Sequence, residues 1–315
     1  MLLLVTNQRD ITTDYIVLEL KRRGIDYFRL NTELLPSSLC RMSNLFKSDW
    51  KIIVNDKAIH GADITGAYFR RPGKPEVSNS NDQDVSAYIE LEWASFLKSL
   101  YMRLDDLWLN SPTNIILAED KPRQLLLANE LGFNIPETII SNDIDDAKEF
   151  CQDGGIIIKP LRQSLFKSEH QEKVIFTSRI MSSELDSKEE FSVVPMIVQK
   201  EIKKKYDVRV TVVGSEIFPV AIYSQEKSDT EVDWRYGAHT DLKYQRISLP
   251  DKLNEKCIEL TKKLGLKFGA IDLICDLNNE FWFLEINPNG QWAWIENQTG
   301  CPISGAIVDE LIKNN

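Results

Sequence analysis

The stretch AIDLICDLNNEFWFLEINPNG, residues 270–290, constrains the fold more than any other part of the chain. Its two apolar runs meet at an Asn-Asn dipeptide, which is typical of a tight turn, so we expect two antiparallel strands. Asp272 interrupts the first run, and Glu285 and Asn287 lie two residues apart in the second. Because strand side chains repeat every two residues, Glu285 and Asn287 share one face of the expected sheet.

Three oxygen-bearing side chains on paired strands indicate a site for a divalent cation. Asp272, Glu285 and Asn287 would converge there, and Mg²⁺ prefers oxygen ligands, usually one or two carboxylates together with the phosphates of a substrate. An isolated Glu-x-Asn is more often a polar pair on a sheet face, and the neighbouring Asp272 is what favours the metal hypothesis. Pro288 and Gly290 end the strand and would let the backbone open towards a ligand.

The composition narrows the class of protein. The chain has 315 residues, a hydrophobic fraction of 43% and a net charge of −10. These values are typical of a soluble protein of two or three units and do not favour binding to duplex nucleic acid. The five cysteines are far apart and there are only three histidines, so we expect no zinc site and a reducing, cytoplasmic setting. The apolar runs are too short to cross a membrane.

The order of apolar runs predicts an α/β fold. A first strand, a helix over residues 11–23 closed by Gly24 and a second strand form a βαβ unit, and such a unit requires a parallel sheet. We place an N-terminal parallel α/β domain at residues 1–114, a central unit at 115–197 and a C-terminal unit at 198–315. The C-terminal unit carries the predicted hairpin.

Three further segments carry specific expectations. A long helix over residues 85–104 is expected to place four apolar side chains on one face: Leu91, Ala94, Leu97 and Tyr101. The polar stretch 162–173 is expected to be a mobile loop. The polar segment 225–231, between two strands, is expected to form the tip of a flap.

Charged side chains in the middle of the chain suit a nucleotide. Lys121 opens a helix and Lys159 ends the strand GGIIIKP, so both ammonium groups could contact phosphates. Asp207 and Arg209 are two residues apart and share a strand face, where an acid can hold ribose hydroxyls and a guanidinium can clamp phosphoryl oxygens. Lys121 or Lys159 alone is most often an ordinary surface lysine, and the run 203–205 of three lysines is expected to be a solvated face.

Taken in this order, these residues resemble the pattern of the ATP-grasp ligases, and the similarity is strongest to the ribosomal-protein glutamate ligases and glutathione synthetases. Within that superfamily the chain is similar to the ligases that cyclise ribosomal peptides of the microviridin, or graspetide, type. That narrower resemblance rests on the segments FRLNTE, FRRP, VDWR and NPNGQW, and its matching segments span nearly the whole chain. It implies an ATP-grasp fold behind an N-terminal parallel α/β, or pre-ATP-grasp, domain.

The resemblance also implies a role for each matching residue. The residues implied to bind the nucleotide are Lys121, Lys159, Asp207 and the connector Gln199, Lys200, Glu201 and Ile202. Arg209 and Arg235 match catalytic arginines that face the phosphates, and Asp272, Glu285 and Asn287 match the Mg²⁺ ligands. One departure is that the loop after Lys159 lacks the glycine-rich run common in other ATP-grasp enzymes.

The implied reaction uses ATP and Mg²⁺ to activate Asp or Glu side chains of a ribosomal precursor peptide as acyl-phosphates. Ser or Thr hydroxyls, or Lys amines, then form ω-ester or ω-amide macrocycles. The implied partners are the leader and core of that precursor and a second copy of the chain in a homodimer. The flap tip at residues 225–231 is our candidate for the peptide contact.

Two alternatives stay open at this point. One is a ligase of free amino acids or of a protein tail, similar to the ribosomal-protein glutamate ligases. The other is a non-catalytic ATP-binding module. Neither reading assigns a role to Arg70 and Arg71, for which an ion pair between domains is the simplest expectation.

Overall fold

The N-terminal unit is a parallel sheet with a small antiparallel sheet beside it. The computed structural model describes residues 1–76, 83–151, 154–162, 165–168, 171–174, 177–226, 230–237 and 242–313. The first elements are β1 (Leu2–Thr6), α1 (Ile11–Arg23), β2 (Tyr27–Asn31), β3 (Leu39–Met42), β4 (Trp50–Val54), β5 (Lys57–His60), β6 (Gly66–Phe69), α2 (Gln83–Leu104) and β7 (Trp108–Leu109). The parallel sheet has the order β2-β1-β6-β7, and β3-β4-β5 form the antiparallel sheet. The βαβ prediction is confirmed.

Local chemistry explains where α1 starts and stops. The Asp10 carboxylate accepts a hydrogen bond from the Thr12 amide at the N-terminus, and Gly24 ends the helix with φ of 67°. Only glycine adopts that left-handed conformation without a steric cost. Its amide donates to the carbonyls of Leu20 and Lys21.

The helix α2 begins at Gln83, two residues before the predicted start, and has a different buried face. Leu97, Leu100 and Leu104 are buried, whereas Leu91 has 66% of its surface exposed. The predicted face was therefore wrong in the first half of the helix. That half carries apolar residues on more than one side, so the pattern alone could not select the buried one.

The central unit is an antiparallel sheet with the order β12-β9-β13-β8. Its elements are α3 (Pro112–Ala118), α4 (Lys121–Glu130), β8 (Thr138–Ser141), α5 (Ile144–Phe150), β9 (Ile156–Lys159), β10 (Leu165–Ser168), β11 (Gln171–Val174), β12 (Ser178–Ile180), α6 (Lys188–Phe191) and β13 (Met196–Lys200). The stretch 162–173, predicted as a loop, contains β10 and β11 as an antiparallel pair. Residues 163–164 and 169–170 of that stretch lie outside the described ranges.

The C-terminal unit is an antiparallel sheet with the order β16-β15-β14-β17-β18. Its elements are β14 (Lys204–Val213), β15 (Glu216–Ile222), β16 (Tyr244–Arg246), α7 (Asp251–Lys263), β17 (Phe268–Asp276), β18 (Phe281–Asn287), α8 (Ala293–Thr299) and α9 (Ile303–Ile312). The predicted hairpin of β17 and β18 is confirmed, with Asn279 in its turn at φ of 67°.

The alternation of β14 decides which of its side chains reach the site. Val208, Val210 and Val212 are buried in a core shared with α4 and α7, so Asp207 and Arg209 face the other side of the sheet. A second core joins the ends of the chain, because α1 and α9 pack together. Within the described ranges no helix is long and apolar enough to cross a lipid bilayer. The domain boundaries after residues 114 and 197 stay predictions.

Candidate active site

A cavity of about 670 Å³ lies between the central and C-terminal sheets. Its volume is in the range that suits a nucleotide or another small molecule. Apolar side chains line part of the wall, including Ile157, Ile202, Ile274 and Leu284. Nine of the residues singled out from the sequence also line it: Lys159, Gln199, Lys200, Glu201, Ile202, Asp207, Arg235, Asp272 and Glu285. The fold therefore brings these residues together from segments that are far apart in the chain.

The two expected metal-binding carboxylates lie directly opposite each other. Asp272 on β17 pairs with Glu285 on β18, and the register shifts at the next step so that Leu273 pairs with Phe283. Leu284 is the extra residue of this bulge. Because a bulge re-aims neighbouring side chains, Leu284 and Glu285 can both face the cavity although they are consecutive. Asn287 follows two residues later, opposite Ala270, at the end of the strand.

Glu285 is surrounded by cations. Its carboxylate lies 3.3 Å from Lys121 Nζ and 3.1 Å from Arg235 Nη1. Burial opposes ionisation, but Lys121, Arg235 and Lys159 outweigh it and hold the pKa of Glu285 at about 2. The carboxylate is thus ionised at neutral pH, as a metal ligand must be.

Asp272 is paired with Arg209, and both side chains are buried. Arg209 Nη1 donates to Asp272 Oδ1 at 2.7 Å. Burial raises the pKa of Asp272, and Arg209 partly offsets that effect. Among the described residues Arg209 Nε is buried and has no hydrogen-bond partner, which leaves a donor for an oxyanion. The ring of Trp234 lies 5.8 Å from the guanidinium carbon of Arg209.

Lys159 occupies the central-sheet side of the cavity. Its Nζ donates to Gln199 Oε1 at 2.8 Å, and Gln199 Nε2 donates to Thr138 Oγ1 at 2.8 Å. Burial lowers the pKa of Lys159 to about 8, with Glu285 acting in the opposite direction. An anion in the cavity would favour the charged form of this lysine.

Asp207 is held by two neighbours that the sequence did not single out. Lys204 Nζ lies 2.7 Å and 2.9 Å from its two carboxylate oxygens, and Ser224 Oγ donates to Oδ2. Burial raises the pKa of Asp207, while Lys204 lowers it. The expectation that residues 203–205 form a solvated face was wrong for Lys204, which is buried at this ion pair.

The connector at residues 199–202 is linked to the flap by an arginine. Arg179, on β12, donates to Glu201 and, at 3.1 Å, to Glu231 Oε1. Lys200 pairs with Glu137 at 2.9 Å. Arg179 was not predicted, because its partners Glu201 and Glu231 lie on elements distant from it in the chain. Of the proposed flap tip 225–231, residues 227–229 lie outside the described ranges.

Arg70 connects the N-terminal domain to the loop after β18. Its side chain is 1% exposed. Its Nη1 donates to the Asn289 carbonyl oxygen and, at 2.7 Å, to Asn289 Oδ1. The Asn289 amide in turn donates to Asn287 Oδ1 at 2.9 Å. The expected ion pair is absent for Arg70 among the described residues, and hydrogen bonds to Asn289 take its place. In the part of the chain that the structure describes, Arg70 Nε and Nη2 are buried and have no hydrogen-bond partner.

The same loop approaches the strands closely. A Cβ at Gly290 would lie 2.4 Å from Ala270 Cβ and 3.3 Å from Arg209 Nη2, so only glycine fits there. Lys121, Arg209 and Asn287 do not line the cavity themselves. Lys121 pairs with Glu285 and Arg209 pairs with Asp272, and both of these carboxylates line the cavity. Asn287 lies two residues beyond Glu285 on the strand.

The donor set fits a magnesium ion and a nucleotide. Two carboxylates and one amide oxygen match the ligands that Mg²⁺ prefers. Within the described ranges, no group of three His, Cys, Asp or Glu side chains is placed to hold a metal, so Asn287 or a substrate would have to supply the remaining oxygens. The individual roles of these residues stay predictions.

Comparisons with known proteins show the family to which the chain belongs. Residues 118–311 match the family described as the RimK-like ATP-grasp domain. A probable alpha-L-glutamate ligase of Picosynechococcus sp. is 24% identical over 217 residues, which cover 65% of this chain and 67% of that protein. The chain thus aligns with about two thirds of the length of this relative.

Three solved structures are similar over almost their whole length. The macrocyclase MdnB of Microcystis aeruginosa is 30% identical with a TM-score of 0.80, covering 99% of both chains. The macrocyclase MdnC of the same organism, bound with the precursor peptide MdnA, is 28% identical with a TM-score of 0.86, covering 99% of both chains. A RiPP-associated ATP-grasp ligase of Chryseobacterium gregarium, in complex with ADP and a leader and core peptide, is 25% identical with a TM-score of 0.89, covering 100% of this chain and 97% of that one. The chain belongs to the RimK-like ATP-grasp family.

Proposed function

We propose that this protein is an ATP-dependent ligase that cyclises a ribosomal precursor peptide by joining its acidic side chains to hydroxyl or amine side chains. The observation that carries the proposal is the pair Asp272 and Glu285, opposite each other on one cavity wall and surrounded by three cations. Carboxylates that can bind metal beside cations that can bind phosphates are what phosphoryl transfer requires.

The chain's own residues would bind and orient the nucleotide. The apolar wall at Ile157, Ile202 and Ile274 suits the adenine ring, and Asp207 suits the ribose hydroxyls. Lys159 and Lys121 would hold phosphates by charge. Asp207 pairs with Lys204, and Lys159 donates to Gln199. Nucleotide binding would replace these partners of Asp207 and Lys159 with the ribose and the phosphates.

Asp272, Glu285 and Asn287 would hold magnesium. When bound, the ion neutralises charge on the phosphates and orients them. Metal binding at Glu285 would compete with Lys121 and Arg235, and metal binding at Asp272 would compete with Arg209. Lys121, Arg209 and Arg235 are the cations that would stabilise charge on the transferring phosphoryl group and on the tetrahedral centre that follows.

The proposed reaction has two steps. A side-chain carboxylate oxygen of the peptide attacks the terminal phosphorus of ATP, and ADP leaves. The hydroxyl or amine of a second side chain then attacks the activated carbonyl carbon, loses its proton and releases phosphate. The net change in the peptide is the loss of one water for each link.

A peptide substrate is favoured because the chain is similar to peptide macrocyclases in both its N-terminal domain and its ATP-grasp domain. The similar macrocyclases and the Chryseobacterium ligase align along the full chain, N-terminal domain included, whereas the glutamate ligase aligns over 65% of it. The glutamate-ligase function remains the second candidate because those relatives share the first half-reaction.

A ligation assay tests the proposal. The protein is incubated with ATP, Mg²⁺ and short Thr- and Asp/Glu-rich peptides encoded in open reading frames next to its own. We expect ADP release that depends on a peptide and a peptide mass lower by one water for each link. Peptide-independent ADP release, or a mass gain from added glutamate, would contradict macrocyclisation.

We propose also that the enzyme works in the cytoplasm as a homodimer. The cytoplasmic setting is supported by cysteines that are all free, as expected under reducing conditions. A quantitative thiol count on the protein as purified from cells, without added reductant, checks it, since five reactive thiols are expected after unfolding.

A further inference from the structure

The strand β18, which carries Glu285 and Asn287, is the last strand of its sheet. Its inner edge pairs with β17, so the backbone groups on its outer edge need partners other than that strand. At the start of β18 the Phe283 amide donates to the Asn134 carbonyl at 2.8 Å. Ile286 lies between Glu285 and Asn287 and is 2% exposed, so its backbone needs a partner from the protein.

Gln124 of α4 is that partner. The Ile286 amide donates to Gln124 Oε1 at 3.0 Å, and Gln124 Nε2 donates to the Ile286 carbonyl at 2.8 Å. One side-chain amide thus makes the pair of hydrogen bonds that a neighbouring strand would make. Gln124 Nε2 also donates to the Ala118 carbonyl at 2.6 Å, and Gln124 is 2% exposed. Gln124 is therefore fixed in place and in turn fixes Ile286.

The helix α4 contacts β18 a second time, through Lys121. Residues three apart lie on the same face of a helix, and Lys121 Nζ lies 3.3 Å from the Glu285 carboxylate. A metal ion at Glu285 would compete with this ion pair. The Gln124 contact involves only the backbone of Ile286, so a metal ion would leave it in place.

We propose that Gln124 is a positioning residue for the magnesium site, an inference that rests on the proposed function. It holds the backbone between Glu285 and Asn287, so that both side chains are in place before the ion binds. Asn110 holds the chain just beyond them, since its Nδ2 donates to the Pro288 carbonyl at 2.8 Å. Gln124 acts between the two ligands.

The bulge in β18 explains why this contact matters for the ligands. The register with β17 shifts immediately before Glu285, where Leu284 is the extra residue. A bulge disrupts the hydrogen bonds of the inner edge, so β17 alone fixes this part of β18 less firmly than a regular strand. Mg²⁺ requires a nearly ideal octahedral arrangement of its ligands, and a small shift of Glu285 or Asn287 would therefore weaken its binding.

Binding of the non-hydrolysable ATP analogue AMPPNP tests the inference, measured by calorimetry on the full chain with Mg²⁺ and with EDTA. The ratio of the two affinities is the magnesium gain. Gln124→Met has a side chain of similar length without the amide. We expect it to lose about tenfold of the magnesium gain and to keep the affinity measured in EDTA. Asn134→Ala removes a side-chain hydrogen bond to the Phe281 carbonyl at the other end of β18 and is the matched control, which should keep the gain.

Two further variants separate positioning from a loss of stability. Ile52→Val, in the core of the N-terminal unit, lowers stability away from the site and should keep the magnesium gain. Gln124→Glu retains an oxygen that can accept from the Ile286 amide, so it should lose a smaller part of the gain. That smaller loss is the test if circular dichroism shows that Gln124→Met does not fold.

The outcomes distinguish this inference from the proposed function. A wild-type magnesium gain that both Gln124 variants retain would overturn the inference and leave the proposed ligase unaffected. Equal losses of affinity in Mg²⁺ and in EDTA would also overturn it, because Gln124 would then support the fold and not the metal ligands. A wild-type protein without any magnesium gain would contradict the proposed magnesium site itself, and the inference with it. None of these measurements depends on turnover.

Discussion

Arg209 and Asp272 form an ion pair across β14 and β17, with Nη1 and Oδ1 2.7 Å apart and both side chains buried. A buried pair is expensive to desolvate, and well-packed apolar residues often replace such a pair without loss of stability. This pair is therefore better explained by function than by folding, since each member is available to a reacting group once the other is engaged by metal or phosphate.

We predict that Asp272→Asn lowers the free energy of unfolding by about 3–5 kcal/mol, because Arg209 is left buried without a counter-charge. The double variant Arg209→Met/Asp272→Leu should recover most of that stability and remain inactive. Urea unfolding of the three proteins measures this. A double variant as unstable as the single one would show that the pair stabilises the fold.

Replacing Glu285 with Gln should abolish ligation and the part of ATP affinity that depends on Mg²⁺. The variant keeps the shape of the side chain but loses the charge that faces Lys121 and Arg235. Asn287→Ala should also lower both ligation and the part of ATP affinity that depends on Mg²⁺. Calorimetry of ATP binding with and without Mg²⁺ measures it, and Glu280→Gln, exposed in the turn before β18, is the control. Wild-type turnover in either site variant at saturating Mg²⁺ would remove that residue from the metal site.

Lys159 should take up a proton when ATP binds. Burial lowers its pKa to about 8, so at pH 8 about half of the free protein has a neutral amine there. Bound phosphates favour the ammonium and raise that pKa, and ATP affinity should therefore fall as the pH rises from 7 to 9. Calorimetry at pH 8 in buffers of different ionisation enthalpy measures the uptake.

Lys159→Ala should lose this proton uptake and about tenfold or more in ATP affinity, since a charge-assisted contact contributes roughly 1.5–3 kcal/mol. Lys252→Ala, at an exposed lysine of α7, should behave as wild type. Equal ATP affinity in Lys159→Ala and wild type would exclude Lys159 from phosphate binding.

Arg70 is expected to act as a positioning residue through Asn289. Arg70→Met removes both hydrogen bonds to Asn289 but also removes two buried donors without partners. We expect a small change in stability, nearly unchanged ATP affinity and a kcat at least about tenfold lower, because Asn287 loses its support. Asn289→Ala should lower kcat similarly, with no further loss in the double variant. Additive losses would mean that the two residues act separately.

The sequence was most informative where a side-chain period and a chemical type coincide. Asp272, Glu285 and Asn287 were singled out because a strand alternates every two residues and oxygen ligands are few, and the structure places Asp272 and Glu285 in the cavity wall. The burial of Lys204 beside Asp207 was missed, since a run of lysines has the same composition whether it is solvated or paired. Arg179 and Arg70 were missed as site residues because their partners lie on elements distant in the chain, a relation that only tertiary packing creates. The buried face of the first half of α2 was predicted wrongly, because apolar residues lie on more than one side of that half.

Mass spectrometry of the peptide product tests the central claim most directly. The protein, ATP and Mg²⁺ are incubated with the candidate precursor, and the peptide is then fragmented. The account predicts a loss of one water for each link, fragments that join an acidic side chain to a hydroxyl or amine side chain, and one ADP released for each link. An unchanged or heavier peptide, with ADP released, would contradict it.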